Sequence, residues 1–324
     1  MENISIGALE FQKRFGTEEQ CREYLFRVRW PKGFICPNCG HDDASYLSPR
    51  QLYQCRLCNY QASVTAGTIF HRTHLPLTCW FWVIYQITHD KGGASATRLA
   101  SQLHRPYKTM WHVVHKLRYA MGSRDSGITL AGLIELDEAI LGPEARRPSR
   151  REDDIPMGGR KAPRKKPCGH RPKHDRKRKS VIEVIVAAEA EHFHIGNVAM
   201  RVAERVDYGS IEEFAEQKVD PQQKFKTDAR HSHWILKYMG HDLATKKSSG
   251  DNYEESLPVV HRVISLLKHF LMGTYYGVST RYLQSYLQEF CFRFIRRDKL
   301  GSIHDSLLRA CLSTVPMTYA ELTV

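Results

Sequence analysis

Along the chain the apolar positions change period several times. Residues 8–30 carry Leu9, Phe11, Phe15, Cys21, Tyr24 and Leu25 as a rough helical stripe, and residues 78–89 predict an aromatic-rich helix. Ala96, Leu99, Ala100 and Leu103 sit at i, i+3, i+4 and i+7. The pattern stops at His104-Arg105-Pro106 and resumes with Met110, Val113, Val114 and Leu117. Two short amphipathic helices around a tight break fit a helix-turn-helix, and equally two core helices with no further role. Past residue 132 the texture turns to strands and helices in alternation. Residues 133–141, 181–188 and 193–202 read as strands pairing in hairpins, 210–217 as a short helix, and 225–228 as the end of a fourth strand. A fifth strand is expected over 243–246, with long helices over 257–272 and 281–296. This order predicts an α/β fold with a mixed sheet.

The cysteines add a second kind of information. Cys36-Pro37-Asn38-Cys39 and Cys55-Arg56-Leu57-Cys58 are two Cys-x-x-Cys pairs separated by fifteen residues. Each pair presents two sulfurs on one tight turn, so together they describe a four-thiolate zinc site. Gly40 and Asn59 follow the pairs where each knuckle must turn sharply. The alternative is two disulfides in a secreted chain. Against it, Met1-Glu2-Asn3-Ile4-Ser5 has neither the basic nor the apolar region of a signal peptide. The remaining five cysteines (Cys21, Cys79, Cys168, Cys291 and Cys311) are scattered, as suits a reducing cytoplasm. The longest apolar window, 75–87, is too short to span a bilayer.

Charge narrows the choice of partner. The chain has 324 residues, 42% of them hydrophobic, enough for two or three small domains, and a net charge of +13 with a pI near 9.3. That balance suits a polyanion. Between residues 144 and 179, fifteen Lys or Arg stand against five Asp or Glu, a net +10 in one Pro-rich stretch with few large apolar residues. It cannot bury enough surface to fold alone, which predicts a flexible basic arm or a plain solvated linker. As an arm, its Arg160, Lys161, Arg164, Lys165 and Lys166 would neutralise phosphates. In the helix pair, Tyr107, Lys108, Thr109 and His112 fall near the start of the second helix, where a recognition helix meets bases or phosphates.

Asp137 interrupts an apolar strand, Leu133-Ile134-Glu135-Leu136-Asp137-Glu138-Ala139-Ile140-Leu141. A carboxylate there is costly unless it is paired or binds a cation. Asp228 ends a different strand, and two carboxylates on adjacent strands suit a shared divalent cation. An Asp before Ala229 is also an ordinary helix N-cap. Alternation leaves open whether Asp137, Glu135 or Glu138 faces the site. On the helix over 257–272, Val260, Val263, Ile264, Leu267 and Leu271 form the buried face, and His261, Ser265 and Lys268 an adjacent stripe. His261 and Lys268 are two turns, about 10 Å, apart on one side. That spacing fits a metal ligand beside a phosphate-holding cation, although a lone histidine is often an ordinary surface or core residue.

These stretches, taken in order, resemble the zinc-ribbon DDE transposases of bacterial insertion sequences, the ISXO-like group of the insertion-sequence 1595 family. The resemblance runs through the two cysteine pairs, Thr65-Ala66-Gly67-Thr68-Ile69-Phe70, and Ser95-Ala96 through Tyr107-Lys108-Thr109-Met110-Trp111 to Ala120-Met121. It continues through Glu135-Leu136-Asp137-Glu138, Lys226-Thr227-Asp228, Ser265-Leu266-Leu267-Lys268, Gly273-Thr274-Tyr275 and the run from Tyr286 to Phe294, covering roughly residues 10–297. It implies a multidomain chain: an N-terminal helix and zinc ribbon (1–70), a helix-turn-helix region (71–125), and an α/β ribonuclease H-like catalytic core with a mixed sheet (130–300, basic insertion 143–179). A C-terminal tail (301–324) would complete it. Asp137 and Asp228 would be the first two ligands of two catalytic Mg²⁺ or Mn²⁺ ions. The family's third acidic residue, usually Glu, is His261 here, and the Trp before the Ser is Ile264. Histidine occurs in that place in some branches of the group; being softer than carboxylate, it suits Mn²⁺ better than Mg²⁺. Glu254 or Glu255 is the alternative third ligand.

The implied chemistry is metal-assisted cutting at the element's ends, then attack of the freed 3′-OH on target DNA, with Lys268 on a phosphate. The implied partners are DNA, both terminal inverted repeats and target, and further copies of the chain, in a bacterial cytoplasm at the nucleoid. A catalytically inactive DNA-binding regulator is the rival reading, favoured by the departures at His261 and Ile264 and opposed by Asp137, Asp228 and Lys268. A nuclease that cuts without joining is a further one.

Overall fold

The computed structural model describes residues 7–141, 182–191, 194–246 and 257–323. The basic stretch with Arg160, Lys161, Arg164, Lys165 and Lys166 lies outside the described residues, as do Glu254 and Glu255.

The stripe over 8–30 is two helices, α1 (Ala8–Phe15) and α2 (Glu18–Arg29). They part at Gly16-Thr17, where Thr17 and Gln20 form a reciprocal capping box that starts α2 afresh. A small antiparallel sheet follows, β1 (Ala44–Leu47), β2 (Leu52–Cys55) and β3 (Gln61–Ala62), carrying the cysteine knuckles at its ends. Next come α3 (Leu77–His89), α4 (Ala96–Gln102) and α5 (Tyr107–Arg124). The turn between α4 and α5 passes through His104 at φ 46 and Pro106, which fixes where α5 begins. Met110, Val113, Val114 and Leu117 are buried, as their spacing predicts.

The second half forms β4 (Leu133–Leu141), β5 (Ile182–Glu191), β6 (His194–Ala203), α6 (Tyr208–Lys218) and β7 (Lys224–Asp228). A 3₁₀ turn (His231–Trp234), α7 (Ile235–Tyr238), β8 (Asp242–Lys246), α8 (Pro258–Tyr275) and α9 (Leu283–Ile295) follow. The five strands make one sheet in the order β6-β5-β4-β7-β8. The first three pair antiparallel and β4, β7 and β8 run parallel, a ribonuclease H-like core with β4 at its centre. One face packs Ala139, Val184, Val186 and Ala188 under α8 and α9; the other packs Ile134, Leu136, Ile185 and Ala187 under α6 and α7. Both faces are covered, as a sheet with parallel central strands requires.

Residues 301–324, set apart above as a tail, hold α10 (Leu300–Ser313) and α11 (Tyr319–Thr323). Ile303, Leu307, Leu308, Ala310 and Cys311 of α10 are buried in the N-terminal core with Phe11, Phe15, Phe81 and Met110. Tyr24 donates to Asp305 at 2.7 Å, and the Ile69 amide donates to the Cys311 carbonyl at 3.1 Å. The two halves also meet through Arg118 of α5 and Glu289 of α9, a fully buried pair at 2.7 Å.

Candidate functional site

The four cysteine sulfurs lie within 4.8 Å of one another, with Cys36–Cys58 and Cys39–Cys55 each at 3.6 Å. A tetrahedral ion with bonds of about 2.3 Å sets sulfurs about 3.8 Å apart, so the knuckles fit zinc without rearrangement. Gly40 (φ 75) and Asn59 (φ 58) take the left-handed turns expected after each pair. The Tyr60 amide, with help from the Asn38 side chain, holds the Cys58 thiol down to about 6, which favours the thiolate a metal needs. The ribbon is a four-cysteine zinc site.

The second site is built on β4. Its pleat sends Glu135, Asp137 and Ala139 toward α8, and Glu138 toward α6 and α7. Asp137 is buried, and His261 of α8 approaches it, Nε2 to Oδ2 at 3.1 Å. Burial foremost raises the Asp137 pKa, with the charges of Glu138 and Asp228 adding to it against the bond from the Glu138 amide and the charge on His261. The β4–β7 register pairs Leu136 with Thr227, so Asp137 and Asp228 occupy the next position on neighbouring strands. The register thus puts the two aspartates at neighbouring positions on β4 and β7, and only Asp137 of the two meets His261. Lys268 is exposed two turns along α8 on the His261 side.

Glu135 holds that helix in place. Its Oε2 accepts the amides of Val259 (2.8 Å) and Val260 (3.0 Å) at the start of α8, and Lys226 lies 3.5 Å from its Oε1. These are first-turn donors without helical partners, and a carboxylate satisfies both their bonds and the helix dipole. The histidine is therefore positioned by the strand it faces.

On the other face, Glu138 meets Arg230 and His233, each at 2.9 Å, and Arg230 extends to Glu183 at 3.5 Å. His233 is fully buried and also stands 2.9 Å from Asp228 through Nδ1. Burial alone would lower its pKa, but the bonds to Asp228 and Glu138 outweigh that and raise it to about 9. In return, the bond with His233 foremost lowers the Asp228 pKa. Asp228 also accepts the Arg230 amide at 3.1 Å, a local turn bond of the kind an N-cap makes. Among the described residues, Glu138, Asp228 and His233 are the second set of three possible ligands within 4.8 Å of one another. Asp137, Asp228 and His261 are not so close, because Asp228 leans toward His233.

Sequence reading missed Arg230 and His233, which follow β7 and meet Glu138 only in three dimensions, and Glu183 of β5, which meets Arg230. A buried imidazole between two carboxylates has no local pattern. Of the residues expected to meet DNA, Tyr107 and Lys108 are exposed, Thr109 is partly covered, and His112 is half-buried, with burial lowering its pKa.

Residues 16–61 match the family model of a transposase zinc-ribbon domain, and residues 129–294 that of an ISXO2-like transposase domain. Among solved structures, the chain is similar to the Mos1 strand transfer complex, at 9% identity and TM-score 0.32, covering 70% of this chain and 75% of that one. It is also similar to a pre-cleavage Mos1 transpososome, at 12% identity and TM-score 0.27, covering 67% and 74%. A search of curated proteins finds no match.

Proposed function

This chain belongs to the IS1595 family and is an insertion-sequence transposase, a DDE-type polynucleotidyl transferase, and on that premise we propose that Asp137, Asp228 and His261 hold its catalytic cations. The observation that carries the reading is Asp137: a buried carboxylate with a raised pKa on the central strand, facing His261 and one register step from Asp228. The donor set suits a divalent cation, since each carboxylate meets its histidine through one oxygen and has a second oxygen to offer. When bound, a divalent cation lowers the pKa of an attacking hydroxyl and offsets charge on a leaving oxygen.

The protein's own groups do the rest. Asp137 and Asp228 orient the site from a rigid sheet, and Glu135 fixes the approach of His261 by anchoring α8. His261 in place of a carboxylate leaves the site one negative charge poorer and softer, so Mn²⁺ is the better ion and Mg²⁺ the poorer. Lys268, about 10 Å along the same helix face, holds a phosphate next to the scissile one. Water attacks at the element's end and releases a 3′-OH, and that hydroxyl attacks a target phosphodiester. Neither step needs a covalent link to the protein.

The zinc ribbon and the start of α5, with Tyr107, Lys108, Thr109 and His112, read the terminal inverted repeats. The basic stretch with Arg160, Lys161, Arg164, Lys165 and Lys166 tracks flanking or target DNA, so affinity falls steeply with salt. Two ends cut together call for a dimer or larger assembly on DNA, in a bacterial cytoplasm.

The test is strand cleavage and joining on DNA carrying the element's ends, with Mg²⁺ or Mn²⁺. Loss of both reactions in Asp228→Ala and His261→Ala supports the assignment. Loss in Asp228→Ala alone moves the third ligand to Glu254 or Glu255. Specific binding without cleavage in either metal overturns the catalytic reading.

A further inference from the structure

Between α4, α5 and the loop that follows α8 lies a cavity of about 820 Å³. Its walls are aromatic and polar: Tyr107, Trp111, Tyr276 and Tyr282 offer rings, and Ser95 and Gln102 offer hydrogen-bonding groups. We infer that this cavity takes up unpaired nucleotides of the DNA being processed, stacking their bases on Trp111, Tyr276 and Tyr282.

Size is the first argument. Sites for single small molecules run to roughly 300–1,000 Å³, which suits one or two nucleotides and excludes a duplex. The charge of the walls is the second. Arg118 is paired with Glu289 and Arg98 with Asp90, both at 2.7 Å, so both arginines of the wall are already held by carboxylates. Burial foremost, then the Arg118 charge, lowers the His115 pKa to about 3 and keeps that imidazole neutral. Neutral aromatic walls receive bases, whereas phosphates need cations. Exposed Lys108 supplies one, next in the chain to the lining Tyr107 and 5.1 Å from the Tyr319 ring.

Tyr276 is the third argument. It caps α8 in the left-handed conformation (φ 51, ψ 32), a place where glycine or asparagine is usual. A bulky residue there is strained, and this one is 78% exposed, so packing within the chain does not offset the strain. A stacking partner from outside would. Thr274, also in the wall, lies thirteen residues past His261 on α8, about 20 Å away, or about six steps of duplex. The captured nucleotides thus belong to a strand splayed from the duplex at a distance from the reacting bond.

The inference rests on the transposase reading, and the two are tested separately. Fluorescence anisotropy on the full, zinc-loaded chain would compare an oligo(dT) of about 12 nucleotides, an abasic strand of equal length, and a duplex of about 20 base pairs. We expect oligo(dT) to bind about tenfold more tightly than the abasic strand. Tyr276→Gly, which relieves the left-handed cap, should abolish that preference and leave duplex affinity within about twofold; Tyr282→Leu should do the same. Equal binding of oligo(dT) and the abasic strand by the unaltered protein, or a preference that survives in Tyr276→Gly, overturns the inference. Cleavage of element ends by the same preparation, with no base preference, sinks the pocket alone. Base preference lost in Tyr276→Gly, with no cleavage by any preparation, sustains the pocket and sinks the catalytic reading.

Discussion

Asp137 and Glu138 are consecutive on β4, and the pleat turns them to opposite faces of one sheet. Glu138 is met by Arg230 and by His233, which its partners hold protonated up to about 9. Asp137 is met by a single imidazole, and among the described residues no lysine or arginine pairs with it. One face neutralises itself and the other keeps a buried carboxylate with its pKa raised. A buried charge left in that state costs stability unless a cation joins it. On the proposed assignment Glu138 would be a structural acid and Asp137 a binding one, and Glu135, which caps α8, is a third acid on the same strand with a third task.

The contrast is broken most directly by swapping amides in. Asp137→Asn should lower strand cleavage about 10²- to 10³-fold or more while the melting temperature holds or rises, because the lost charge was uncompensated. Glu138→Gln should do the reverse, lowering stability by about 2 kcal/mol, discounted because Arg230 is partly exposed, with a smaller effect on cleavage at a temperature where the protein is folded. Equal losses of stability in the two variants would erase the distinction. The zinc ribbon extends it to a metal that serves folding: Cys55→Ser should unfold residues 36–62 and abolish binding of element ends, while the ribonuclease H-like core keeps its circular dichroism. An effect of similar size, seen only on acidification, concerns histidine. His115 is held neutral where His233 is held charged, so its folded pKa lies below the unfolded value of about 6.5. Its share of stability is present above that value and is lost as pH falls toward about 3. Between pH 6.5 and 4.5 the protein should lose about 2 kcal/mol more than His115→Gln, read from denaturant midpoints.

What was legible in the chain was local. Cysteine spacing names its metal because two knuckles carry all four ligands. Asp137 stands out because a charge inside an apolar strand is visible without a fold. The phase of the pleat was not legible, since it is set by which face α8 covers, so the tasks of Glu135 and Glu138 stayed open. His233 reaches Glu138 across 95 positions of chain, and its two carboxylate partners appear together only when β4 and β7 pair. His261 was visible as part of a stripe, but its place opposite Asp137 came from the family pattern. With α10 the sequence holds the information: Ile303, Leu307, Ala310 and Cys311 repeat at helical spacing, a pattern that marks a packed helix and not a tail.

That helix has a consequence for synthesis. The N-terminal core closes only when residues 303–311 pack beside Phe11, Phe15 and Phe81, and a ribosome makes those residues some two hundred positions after α3. At about 5–20 residues per second, the aromatic surface of α1 and α3 waits on the order of 10 to 40 seconds for its cover. The sheet of the second half is translated in full before then. The N-terminal core is thus completed after the sheet, and a product terminated before residue 303 would leave Phe11, Phe15 and Phe81 without that cover.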